Sequence, residues 1–134
     1  MTDPIATLRW LFPRPSDKVL WRLHLAVSAL PLGWTLLMCL YAADVRLAIG
    51  HWPRPMVEAG PQDVFSSFLE FATGILLLPV TYSFLGWIVF TIWRWKKYTN
   101  RQRLWQVCLY IAGIVAAAVF SWANPGKFVD WWMD

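Results

Sequence analysis

Glu70, His24 and His51 carry the side chains with which this sequence could transfer protons or ligate a metal, and Cys39 and Cys108 are its two cysteines. A carboxylate inside an apolar run is a functional candidate, because such a group is costly to hold away from water. Glu70, however, opens the run from Val64 to Lys97 and precedes Gly74 by about 6 Å of helical rise, so it is expected at the interface, within reach of water. Two imidazoles can serve as axial ligands to haem iron. His24 begins one apolar window and His51 follows it, so a membrane's thickness separates them and they cannot hold the same iron; each reads as an interfacial histidine, with a cofactor shared with another subunit as the alternative for His24. Cys39 and Cys108 fall near opposite ends of their windows, which argues against a disulfide, and no second ligand stands at zinc spacing.

The searches for catalytic motifs return nothing. The sequence has no glycine-rich phosphate loop, no His-Glu-x-x-His, no Gly-x-Ser-x-Gly and no carboxylate pair placed for acid–base work. No catalytic residue, cofactor or metal site is expected, since an interior almost without polar groups has nothing with which to stabilise a transition state. Transport by this chain alone is not expected either, because three helices rarely enclose a path and no window carries an evident line of polar residues.

The elements that would position these residues are membrane helices. Of the 134 residues, 58% are hydrophobic and 15% charged, far from the soluble average. Three windows lack the polar face that a soluble helix needs, and the segments between them are too short to bury cores of their own. The expectation is an all-α integral membrane protein, a single domain over residues 1–134, with spans over about 18–49, 64–97 and 104–122. Within the second, Thr73 to Trp93 is the part expected in lipid, since a bilayer core takes about 20 residues.

Boundary signals support this division. Thr2-Asp3-Pro4 reads as a helix start, and a short interfacial helix over 3–12 would lie on the membrane surface until Pro13-Arg14-Pro15 ends it. Ser16 or Asp17 caps the first span and Gly50 stops it. His51-Trp52-Pro53-Arg54-Pro55 is extended, Asp63 caps the second span, and Pro79 should kink it. Thr99 to Arg103 forms a short turn, Asn124-Pro125-Gly126 ends the third span, and the tail from Lys127 is amphipathic enough to lie on the surface.

Charge sets the orientation. Arg9, Arg14, Lys18 and Arg22 precede the first span, and Arg94, Lys96, Lys97, Arg101 and Arg103 lie between the second and third; Arg46, Arg54 and Lys127 are the remaining three of the twelve basic residues. The positive-inside rule therefore predicts a cytoplasmic amino terminus and an outside carboxyl terminus, with Arg94, Lys96, Lys97, Arg101 and Arg103 as topology determinants and no nucleic-acid partner. Most of the 11 tryptophans suit this placement, with Trp21, Trp93, Trp95, Trp105 and Trp122 as interfacial anchors. Trp34 and Trp87 lie deeper, where an indole N–H needs an acceptor. Ser83 is the local partner expected for Trp87, and another helix, in this chain or in a partner protein, is expected for Trp34. Small residues mark packing faces at Ala29 and Gly33 in the first span and at Gly113 and Ala117 in the third.

Trp34-Thr35-Leu36, Asp44, Trp52 and the aromatic-basic exit through Tyr98, Asn100 and Arg101 resemble the small membrane partner of bacterial poly-N-acetylglucosamine synthases. The resemblance covers about half of the chain and implies an accessory role beside a polysaccharide synthase; that family has two spans and a cytoplasmic tail, and the third span departs from it. Three function classes follow. The leading one is a small non-enzymatic subunit or assembly factor of a larger membrane complex, in a bacterial inner membrane. The others are the synthase accessory and a self-contained immunity, exclusion or pore-forming protein. The expected partners are the lipid bilayer and a larger membrane protein or further copies of the chain.

Overall fold

The computed structural model describes residues 16–54, 60 and 63–133. Among these the regular structure is helical, and three helices are long and apolar enough to cross a membrane: this is a multi-pass membrane protein. The interfacial helix expected over 3–12 lies outside the described residues.

Helix α1, Asp17–Ile49, starts where the Ser16 hydroxyl accepts the Val19 N–H and stops at Gly50, whose own N–H reaches the Arg46 carbonyl. At about 1.5 Å per residue it reaches about 50 Å, longer than a hydrocarbon core of about 30 Å. Helix α2, Val64–Arg94, starts under the Asp63 carboxylate, which accepts the Phe65 and Ser66 N–H groups, and runs on through Pro79 as one helix. A single 3-10 turn, Trp95–Lys97, follows.

Helix α3, Asn100–Ala123, begins four residues before the expected 104, because Thr99 and Gln102 form a reciprocal capping box. The charged string Asn100 to Arg103 is thus the first turn of a helix, where a turn was expected. After Asn124, a 3-10 turn, Pro125–Lys127, leads to the short α4, Phe128–Met133.

Helix α1 is the centre and packs against both α2 and α3. Its buried residues include Leu20, His24, Ser28, Pro31, Thr35, Met38, Ala42 and Val45, which recur at steps of three or four residues and form one stripe along the helix. The buried positions of α2 are Ser66, Leu69, Thr73, Ser83 and Arg94, and those of α3 are Gln106, Tyr110 and Gly113. Small and polar side chains thus face inward, while Phe68, Phe71, Leu78, Leu85, Val89 and Val119 face outward. Lipid tails are as apolar as leucine, so burying large apolar groups gains little there; close backbone approach and hydrogen bonds hold such helices together.

Candidate functional site

The seam where the three helices meet is the part of the molecule with chemistry in it. Near the start of α1, His24 is fully buried against the other helices. The Gln106 amide of α3 lies 2.9 Å from its Nδ1 and the Thr91 hydroxyl of α2 lies 3.3 Å from its Nε2. With the amide donating to Nδ1, Nε2 carries the hydrogen and donates to Thr91, so one neutral ring links all three helices. Phe90 stacks on the ring at 5.4 Å and Tyr98 tilts against it at 5.6 Å. Both ring nitrogens thus have partners within the chain.

Halfway along, the Trp34 Nε1–H donates to the Thr73 carbonyl at 3.1 Å. The Thr73 hydroxyl in turn donates to the Leu69 and Glu70 carbonyls. The acceptor of Trp34 is therefore on another helix of this chain. Trp87 stacks on Tyr110 at 4.8 Å, nearly parallel. Its expected partner Ser83 bonds instead to the Val80 carbonyl and the Tyr110 hydroxyl, and the Trp87 Nε1–H has no acceptor.

Gly113 marks the closest approach of α3 to α1. A Cβ there would lie 2.7 Å from the Leu32 amide nitrogen and 3.0 Å from the Pro31 Cβ. Ala117, one turn on, packs against the apolar cluster around Met38 and Val45. Gly33 has open space at its Cβ position, with none of the described residues packed on it.

At the far end the Ser66 hydroxyl lies 2.6 Å from a carboxylate oxygen of Asp44 and 2.6 Å from one of Asp63. A hydroxyl has one hydrogen, so it serves the two acids in turn. The Ser66 hydroxyl first, then the Ser66 and Phe65 N–H groups, hold the Asp63 carboxyl below its ordinary range. Tyr41 and Phe128 meet edge to face at 5.5 Å, and Trp131 lies beside both, so α4 docks on the end of the bundle through a fully buried Phe128. Gly126, at φ 58°, lies over Trp52: any Cβ would fall 2.0 Å from the indole. The guanidinium of Arg46 covers the same indole at 4.8 Å.

The basic end is less uniform than its sequence. Arg94 is buried and bonds Asp17 at 2.8 Å, with Lys97 3.8 Å from the same carboxylate oxygen. Lys96, Lys97 and Arg101 are exposed, and Arg103 is partly buried with its guanidinium 4.7 Å above Trp95. Trp21 packs edge-on against Tyr98, whereas Trp93, Trp95, Trp105 and, at the other end, Trp122 are exposed, as headgroup-level rings would be. Burial raises the Tyr98 phenol above its ordinary range against the opposing pull of the Arg94 charge and Gln106.

Among the described residues no group of three or more His, Cys, Asp or Glu is placed to hold a metal ion. Cys39 and Cys108 are both free and exposed. Gln106, Thr91, Thr73 and Ser66 were the residues missed from sequence; of these Gln106 carried a positional signal, two turns before Gly113 on the same face of α3. No protein-family model, curated protein or solved structure matches this chain.

Proposed function

We propose that this chain is a small non-enzymatic subunit or assembly factor of a larger membrane protein complex, seated in a bacterial inner membrane. The observation that carries the reading is an open notch on the outer face of α2, lined by Ser67, Glu70, Gly74 and Ile75 together with Trp132 of α4. Glu70 and Gly74 are exposed there, and a Cβ on Gly74 would meet nothing. Ser67 and Glu70 stand at interface depth, just before the part of α2 expected in lipid, where a carboxylate and a hydroxyl can meet a donor on a second helix, and the missing side chain of Gly74 allows that helix close approach. His24, Thr91, Gln106, Trp34 and Ser66 are meanwhile engaged within the chain, which favours the exposed surface as the place where a partner would bind.

Purification in mild detergent tests this. A large partner should accompany the wild type in fixed ratio, and Glu70→Leu or Gly74→Leu should cut its recovery several-fold while Val89→Leu, on exposed α2 surface, leaves it unchanged. A glycosyltransferase as that partner would select the synthase-accessory reading, and a solitary monomer would sink the subunit reading in favour of a self-contained protein.

A further inference from the structure

The turn between α2 and α3 and the first turns of α1 enclose a cavity of about 190 Å³ lined by Asp17, Lys18, Trp21, Arg94, Lys97 and Tyr98. We propose that it binds the phosphate of an anionic phospholipid headgroup. Three cations against one carboxylate leave the lining with a net positive charge. Arg94 is only 5% exposed, and while its Nη1 is committed to Asp17, its Nε–H is buried with no acceptor among the described residues. Buried guanidinium N–H groups are nearly always paired, so an unpaired one beside a cationic cavity marks the place of a missing acceptor.

The level within the membrane identifies the source. Exposed Trp93, Trp95 and Trp105 flank this end of the bundle, as tryptophans do at headgroup depth. Exposed Val19 and Leu23 continue along α1 from the cavity, giving acyl chains an apolar track. The volume is below the roughly 300 Å³ at which pockets for drug-sized ligands begin, so it fits the polar head of a lipid whose tails stay outside. Basic pockets between spans are a known means of holding anionic headgroups.

The test uses the full chain in neutral detergent, titrated with phosphatidylglycerol and, separately, phosphatidylcholine, with bound lipid counted by native mass spectrometry. Phosphatidylglycerol should be retained in preference. Lys18→Gln and Lys97→Gln, both at exposed positions, should each weaken retention about five-fold, or about 1 kcal/mol. Lys96→Gln makes the same charge change outside the cavity and should leave retention unchanged. Equal losses from all three variants would reduce the effect to general surface charge and overturn the site, as would no loss from the first two. Displacement of the lipid by millimolar inorganic phosphate would also overturn the headgroup assignment, in favour of a free anion.

Discussion

His24, Gln106 and Thr91 tie the three helices together through bonds for which lipid offers no substitute partner. Removing Gln106 alone leaves the imidazole Nδ1 without its donor, and an unmade buried hydrogen bond costs more than a made one gains. Gln106→Leu should therefore destabilise the bundle by about 1 kcal/mol, read as a lowered midpoint of thermal unfolding in detergent; an unchanged midpoint would mean that the polar link is idle. Asp63 gives a second case, with a sign. Its carboxyl is held below the ordinary range by the bonds it accepts from Ser66 and Phe65, so the charged form favours the folded helix start. That contribution is complete above the ordinary carboxylate range, near pH 4, and disappears as pH falls through the depressed value. Amide exchange at Phe65 and Ser66 should accelerate on acidification through that window, beyond the intrinsic pH trend, and Asp63→Asn should remove most of the pH dependence. Exchange that follows the intrinsic trend alone would show the cap contributes nothing there.

The helices were legible in the sequence and their inward faces were not. The ends could be read because caps are local chemistry: Ser16, Asp63, Gly50 and Asn124 sit where the chain starts or stops its helices. Thr99 and Gln102 carried the same kind of signal, yet the intervening charges suggested a turn. The faces were hidden because hydropathy averages over them: isolated Ser28, Thr35, Thr73 and Ser83 look incidental until the fold brings them onto the buried seam with His24 and Gln106. Trp34 and Gly113 show both sides of this. Each was read as a contact residue, but only the fold shows that Thr73 and Leu32 of the same chain meet them. The contact of α1 with α3 consequently depends on the absence of a side chain. Gly113→Leu should force the helices apart and cost about 1–3 kcal/mol or more as overpacking, whereas Ile or Leu at the exposed Val115 should be tolerated. A cross-link between cysteines engineered on facing turns of α1 and α3 reports it: efficient closure in Gly113→Leu would show that the helices can repack.

At the scale of the whole molecule the open question is which end faces the cytoplasm, and the charge that decides it is unevenly spent. In the sequence nine of the twelve basic residues precede the first span or lie around the α2–α3 connection, but Arg94 is buried against Asp17 and so is partly neutralised once folded. Lys96, Lys97 and Arg101 remain exposed and Arg103 partly so, and retention of such residues next to a span is what opposes their translocation. Helix α3 joins α2 through a short turn, so the two must insert as a hairpin, and the orientation of one sets that of the other. A reporter active only outside the cytoplasm should therefore be active when fused after Asp134 and silent when fused after Arg101. Neutralising Lys96, Lys97, Arg101 and Arg103 together should raise the signal after Arg101 at the expense of that after Asp134. Arg94→Gln should leave the ratio close to wild type, since its charge is balanced by Asp17, and its cost should appear instead as lost thermal stability. Activity after Arg101 in the unaltered chain would reverse the orientation, and would move the phosphate-binding cavity to the opposite leaflet without altering its residues.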